Sequence, residues 1–563
     1  MKSVPKLKTQ NYMKQKAIVY QVFTRLYGNR NVTRKENGTL AENGCGKMND
    51  FTPTALKKIR EMGVSHIWYT GIIRHATQTD YSAYGIPRQH PAVVKGRAGS
   101  PYAIADYYDV DPDLAVNVPE RMKEFEQLIE RTHKAGMKVI IDFVPNHVAR
   151  QYHSICKPEG VKDLGEDDDP SKGFDPQNNF YYCPGQRFTP YFDLYHGERD
   201  PYEEEPAKAT GNDCFHNAPG MNDWYETVKL NYGLDYYAGR VGHFSPIPDT
   251  WGKMTDILLF WARKGVDGFR CDMAEMVPAD FWHWATDKLK FAYPGIVFIG
   301  EVYDPTQYRN YLDAGFDYLY DKVGMYDTLR EVMRGNQSTH AITGAWQQTD
   351  DIREHMLYFL ENHDEHRIAS SFFAGDARKG IPALAVSALL QQNPLMIYAG
   401  QEYGEHGMDK EGFSGNDGRT TIFDYWSVDT LVRAATRKLT SQEKALKDIY
   451  NKVCQIATTE RAAVEGVSFD LMYVNGQYHR QYAFLRKAGA ETLLVVANFD
   501  ALPTTMDVTI PAHAFDYLNI KEKKSATLTD LVSGKEMKRQ LFRDCYVSVD
   551  LEPLGIAVLK FKG

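Results

Sequence analysis

Residues 268–273, GFRCDM, end a run of small and apolar residues with an arginine and an aspartate two positions apart. On a strand, residues i and i+2 point to the same face. Arg270 and Asp272 therefore place a fixed cation beside an anion in an otherwise buried element. Two readings fit: a structural ion pair, or a carboxylate held ionised for chemistry. Other apolar runs end in the same way. "DFVPNH" (142–147) carries Asp142, Asn146 and His147, "GEVY" (300–303) carries Glu301, and "ENHD" (361–364) carries His363 and Asp364. One acid at a strand end is commonly a cap. Four acidic strand ends on one rim would make a metal site or a hydrolase in which one carboxylate attacks and another donates a proton.

The elements that must position these groups are legible as alternation. Strand-like runs fall at 17–23, 66–72, 138–144, 266–272, 296–301, 316–321, 355–361 and 394–400. Most are near-continuously apolar, as parallel strands covered on both faces are. Amphipathic helices lie between them. In "TPTALKKIREMG", Pro53 suits the first turn, Leu56, Ile59 and Met62 recur at helical spacing, and Gly63 ends the helix. "ERMKEFEQLIERTHKAG" repeats the design with Met122, Phe125, Leu128 and Ile129, closing at Gly136. About eight β-α units predict an α/β fold, a closed (β/α)8 TIM barrel, with an open doubly wound sheet as the alternative. A barrel puts its active site at the C-terminal strand ends, where the acids are.

The long stretch after strand three is rich in Pro, Gly, Asp and aromatics, and reads as a small inserted domain, because structureless loops of that length are uncommon. Beyond about residue 460 the pattern becomes alternating strands, predicting an appended antiparallel β-sandwich. The expected division is a barrel over 1–147 and 231–460, an insertion over 148–230 and a C-terminal domain over 461–563.

With 563 residues, 43% hydrophobic and 25% charged, the chain reads as globular with more than one domain. A net charge of −8 gives no footprint for nucleic acid or an anionic membrane. No window approaches a membrane span. Seven cysteines without a C-x-x-C pair argue against a disulfide framework or a zinc site. The basic start "MKSVPKLKTQNYMKQK" has no apolar core of a signal peptide. A cytoplasmic location is the expectation, although a leader trimmed from the chain would leave the same picture.

The four stretches "DFVPNH", "GFRCD", "GEVY" and "ENHD" resemble, in order and spacing, the four sequence regions of the α-amylase family of glycoside hydrolases. The likeness extends to the barrel, the insertion and the C-terminal sandwich. It implies a retaining enzyme acting on α-1,4 bonds of starch-like glucans or maltooligosaccharides. Asp272 matches the nucleophile, Glu301 the general acid/base and Asp364 the third acid. Arg270 matches the arginine beside the nucleophile, and His147 and His363 the histidines that hold the sugar. Asp142 matches the structural acid of strand three, and "SPYAIADYYDVDP" (100–112) makes Tyr102 the platform under the ring. Arg270 is expected to lower the pKa of Asp272, while crowding and burial raise that of Glu301.

The chain also departs from the family. "MAEM" (273–276) puts Glu275 and Met276 where endo-acting members carry a Lys-His pair contacting the aglycone side. Oligosaccharide hydrolysis, an exo-acting α-glucosidase and a transglycosylase stay open, and Glu275 reads equally well as a solvated rim charge. A catalytically silent carbohydrate-binding scaffold would lack Asp272 or Glu301, and both are present. No cofactor is expected. A structural calcium would use Asn146, a frequent ligand in the family, but "TVKLNYGLDY" (227–236) sets Lys229 where an aspartate ligand is often found. "ENGTLAENGCGKMND" (36–50) is a further oxygen-rich loop without regular acid spacing. Of Tyr181, Tyr182, Phe188, Tyr191, Phe192 and Trp224, no more than one or two are expected to line sugar subsites. Trp426 is ambiguous, and His75 and His90 have no evident partner. Oligomeric state is not legible.

Overall fold

The computed structural model describes residues 16–407, 413 and 415–563, so the basic N-terminal stretch lies almost wholly outside the described residues. Eight parallel strands close into a barrel in chain order: β1 Ile18–Phe23, β2 His66–Thr70, β3 Lys138–Phe143, β4 Gly268–Cys271, β5 Val297–Gly300, β6 Tyr318–Tyr320, β7 Met356–Phe359 and β8 Leu395–Tyr398. Each strand falls within its expected run. The alternative of an open sheet is thereby excluded, since β8 pairs with β1 as well as β7.

The helices that follow the strands include α1 Pro53–Glu61, α2 Arg121–Lys134, α3 Asp249–Arg263, α4 Ala279–Ala292, α5 Tyr308–Asp313, α6 Asp327–Arg334, α7 Gly380–Leu389 and α8 Ser441–Thr459. Local chemistry fixes their ends. Thr52 accepts a hydrogen bond from the Ala55 N–H ahead of Pro53, and Gly63 takes the positive φ that ends the α1 turn. Leu56 and Ile59 are buried beneath, as their spacing requires.

Strand parity sorts the barrel into two cores. Val19, Trp68, Ile140, Ile299, Tyr320, Leu357, Phe359 and Met396 form a separate cluster, one parity of their strands. The other parity (Ile18, Tyr20, Ile67, Tyr69, Ile141, Phe269, Phe298) belongs to the larger cluster shared with the helices. Asp142 and Arg270 share the inner parity and are register partners. Cys271 pairs with Gly300, so Asp272 and Glu301 leave adjacent strands at the same level.

Between β3 and α3 the chain forms only short strand pairs: His147–Ala149 with Thr227–Lys229, Tyr182–Cys183 with Ala207–Lys208, and Leu234–Asp235 with Val241–Gly242. The C-terminal strands are β9 Val467–Asp470, β10 Gln481–Ala488, β11 Glu491–Asn498, β12 Thr504–Ile510, β13 Lys523–Asp530, β14 Glu536–Leu541, β15 Cys545–Leu551 and β16 Ile556–Lys562. They make an antiparallel sheet of order β9-β10-β11-β16-β13-β14 and a β12-β15 pair. Arg486 of β10 is fully buried and donates to the carbonyls of Leu389, Ala463 and Gly466, stitching this sheet to α7. Among the described residues, no helix is long and apolar enough to cross a membrane. All seven cysteines are unpaired.

The loop after β2 makes its closest backbone approach at Gly99. Its φ is +78°, and a Cβ there would stand 1.7 Å from the Ala76 carbonyl oxygen, while its own carbonyl accepts from Arg25. Gly85 has a similar φ of +76° but open space around it. Gly99→Ala is expected to cost well over 2 kcal/mol in denaturant unfolding, and Gly85→Ala only about 1 kcal/mol, the backbone term alone. Equal costs at the two positions would refute the steric account.

Candidate active site

One guanidinium organises the C-terminal mouth of the barrel. Arg270 is fully buried. Its Nη1 donates to Asp272 Oδ1 at 2.7 Å and lies 3.6 Å from Asp142 Oδ1, and its Nη2 donates to Glu301 Oε2 at 2.7 Å. Its Nε donates to the Tyr320 hydroxyl at 3.3 Å, and the rings of Trp68 and Tyr102 lie 5.1 and 5.3 Å from its carbon. Asp142 is held in turn by Trp68 Nε1 at 3.0 Å and the Gly71 N–H at 3.3 Å.

His363 faces Asp364 Oδ2 at 3.0 Å and the Tyr102 hydroxyl at 2.5 Å through Nε2, with Gln21 at its Nδ1. Tyr102 stacks on the His363 ring at 5.2 Å. His147 packs against Trp224 at 5.2 Å. These residues line one cleft of about 350 Å³, together with Asp272, Glu301 and Asp364. The structure thus brings together Asp272, Glu301, Asp364, His147, His363 and Tyr102, with Arg270 and Asp142 beneath them.

The electrostatics differ from the expectation in two respects. The Asp272 carboxyl is raised rather than lowered, because its burial outweighs Arg270. Arg270 is also shared between Asp272 and Glu301 rather than serving Asp272 alone. Burial pushes the Asp272 carboxyl up; Arg270 opposes this, while Glu301, Asp364 and Asp142 reinforce it. Burial also raises Asp142. At Asp364 burial acts upward too, but His363 and then Arg270 outweigh it and hold the carboxyl at about 2. Burial thus favours the protonated form at Asp272 and Asp142, while His363 and Arg270 favour the ionised form at Asp364. His147 is pushed down to about 3 by burial and by the charges of Lys229 and Lys95, so it is a neutral donor across the ordinary pH range.

Several cleft residues were invisible to sequence reasoning. Lys95 and Glu226 form an ion pair at 2.9 Å, one from the loop after β2 and one from the insertion. Met273, Tyr303 and Arg419 also line the cleft. Tyr303 was within reach, since it closes the "GEVY" stretch, and its hydroxyl donates to Glu301 Oε1. Glu275 is not a solvated rim charge: its Oε2 accepts the backbone N–H groups of Tyr303 at 2.9 Å and Asp304 at 3.1 Å. Of the six aromatics named in the insertion, Trp224 alone lines the cleft. Tyr181, Tyr182 and Phe188 are buried, and Tyr191 is 90% exposed. Trp426 is buried, and its carbonyl accepts from Asn29. His75 pairs with Asp111 at 2.9 Å and contacts Arg25, and His90 caps a short helix through the Ala92 N–H.

The calcium expectation at Asn146 is not met by the donor set. Lys229 Nζ donates to Asn146 Oδ1 at 2.6 Å and reaches Asp213 at the same distance, so an ammonium occupies the place where a cation would bind oxygen ligands. In the loop 36–50, Thr39 and Glu42 cap one another, and Asn43 donates to Lys35 and Tyr425 carbonyls. Among the described residues, acid, thiol or imidazole ligand atoms converge at Asp106, Asp109 and Cys156, and Arg74 and Arg121 already lie on those carboxylates.

Two outcomes follow. Dialysis against EDTA should leave the melting temperature unchanged, whereas Lys229→Met should lower it by several degrees; a melting temperature that falls with EDTA and recovers with calcium would refute this. The His147 pKa is about 6.5 unfolded and about 3 folded. The unfolded state therefore binds the extra proton between those values, and this contribution is intact above the upper value and lost as pH falls toward the lower. His147→Gln should thus flatten the decline in melting temperature between about pH 7 and pH 4.5. An unchanged slope would contradict it.

A sequence model described as the alpha-amylase catalytic domain matches residues 32–461. The chain is 25% identical over 458 residues to "Alpha-amylase 3" of Dictyoglomus thermophilum, covering 75% of this chain and 79% of that one. It is 22% identical over 502 residues to a cyclomaltodextrin glucanotransferase of Geobacillus stearothermophilus, covering 85% of this chain and 59% of that relative. In fold it is similar to the α-amylase of Geobacillus thermoleovorans solved with acarbose, with a TM-score of 0.64 at 19% identity over 98% of this chain and 99% of the other.

Proposed function

Since this chain belongs to the α-amylase family of glycoside hydrolases, we propose that it cleaves α-1,4-glucosidic bonds of starch-like glucans or maltooligosaccharides with retention of configuration. The observation that carries this reading is the single guanidinium touching both Asp272 and Glu301, with Asp364 across the same cleft. Asp272 is the nucleophile: Arg270 engages its Oδ1, which leaves Oδ2 to bond the anomeric carbon as the glycosidic C–O bond breaks. Glu301 gives its proton to the departing oxygen, then takes one from water as that water displaces Asp272. This sequence requires an ionised Asp272 and a proton on Glu301 at its start. Asp364, His363 and neutral His147 bind sugar hydroxyls, and Tyr102 lies beneath the ring.

The same intermediate serves a sugar acceptor as readily as water. A relative named as a glucanotransferase and the missing Lys-His pair both support glycosyl transfer as the second reading. Chromatography of products from maltooligosaccharides separates the two, because transfer yields chains longer than the substrate.

Asp272→Asn and Glu301→Gln should each fold normally and lose several orders of magnitude in turnover, since attack and proton donation are not interchangeable. Proton NMR of the first product, before mutarotation, should show the α-anomer. A β-anomer would make Asp272 a base and remove the nucleophile assignment.

A further inference from the structure

We propose that Glu275 is a positioning residue that holds Tyr303 against the proton-bearing oxygen of Glu301. This rests on the reading of Glu301 as general acid. The loops after β4 and β5 brace each other reciprocally. The Met273 N–H, at a left-handed φ of 45°, donates to Glu301 Oε2 at 2.8 Å. In return Glu275 Oε2 accepts the N–H groups of Tyr303 and Asp304. The Tyr311 hydroxyl of α5 donates to the carbonyls of Glu275 at 3.1 Å and Val277 at 3.0 Å, fixing the segment from behind.

The brace decides which oxygen of Glu301 carries the proton. Oε2 already accepts from two N–H groups, those of Arg270 and Met273, and neither can become an acceptor. Among the described residues Oε1 bonds the Tyr303 hydroxyl alone, which can turn from donor to acceptor. The transferable proton therefore sits on Oε1, beside Tyr303. The position of that hydroxyl depends on backbone at 303–304, which Glu275 clamps from the neighbouring loop. Loss of the clamp should impair proton donation and leave attack by Asp272 intact.

The test uses the full chain and two substrates. A maltooligosaccharide has a poor leaving group and needs the proton, whereas α-glucosyl fluoride loses fluoride with little help. Glu275→Ala and Tyr303→Phe should lower kcat/KM about 10- to 100-fold on the oligosaccharide, yet less than about threefold on the fluoride. Glu275→Gln should stay near wild type, because its amide oxygen can take both N–H bonds. Should Glu275→Ala fail to fold, Tyr303→Phe carries the same expectation, as it removes only one hydroxyl. Equal losses on both substrates, or no loss on either, would overturn the proposal. Glu301→Gln run alongside isolates the premise. If it also fails to spare the fluoride, the acid assignment falls and takes this role with it. If it spares the fluoride and Glu275→Ala does not, the positioning role alone is wrong.

Discussion

A guanidinium fully removed from solvent is the constraint on which the mouth of this barrel depends. Moving such an ion out of water costs several kcal/mol even after relaxation, and only close, well-oriented anions offset it. Arg270 meets the requirement with Asp272 and Glu301 at 2.7 Å and Asp142 at 3.6 Å, and with aromatic faces around it. The dependence runs both ways. Without the arginine, three buried carboxylates would face one another uncompensated, and without them the cation would be stranded. A lysine could not substitute, because its point charge lacks the fork that reaches two carboxylates in different directions.

That demand explains why the partners come from three adjacent strands. Asp142, Arg270 and Glu301 belong to β3, β4 and the end of β5, and inward parity is the property they share. A one-residue slip in either pairing would turn the acid outward into the helix-facing core. The apolar plug below, with Trp68, Ile140, Ile299 and Leu357, keeps the strands in register and water out from beneath. Above the plug, the loops do the remaining work. The left-handed backbone at Met273 costs about 1–2 kcal/mol, and the same residue's N–H donates to Glu301. Strain of this kind persists where surrounding contacts over-determine it.

The barrel was legible because its strands are apolar on both faces, which makes an acid at a strand end conspicuous. Arg270, Asp272 and Glu301 stood out for that reason. What escaped were partners that sit on loops and meet across large sequence gaps. Glu275 reads as a rim charge in isolation, because its acceptors are backbone N–H groups that carry no side-chain signal. Lys95 and Glu226 lie in segments without periodicity, and only the folded chain reveals that they pair at the cleft. The aromatics of the insertion were readable as rings but not as orientation. A small domain with two- and three-residue strands needs rings for its own core, and Trp224 is the one of those six that lines the cleft. The sharing of Arg270 between two acids was illegible too, since i and i+2 spacing reports one strand and not its neighbour.

Lys229 shows how one side chain can serve both seating and electrostatics. It pairs the end of the insertion with β3's outgoing segment, since His147–Ala149 and Thr227–Lys229 are the strands that hold the insertion to the barrel. Its ammonium bonds Asn146 Oδ1 and Asp213, supplying positive charge through a covalent tether. A bound ion would make this seat depend on free ion concentration by mass action, whereas a side chain does not. The same charge falls on His147, the next residue along, where it adds to burial in keeping the imidazole neutral. His147 is thereby a neutral donor at the cleft, and among the described residues Arg270 is the cation in contact with Asp272 and Glu301.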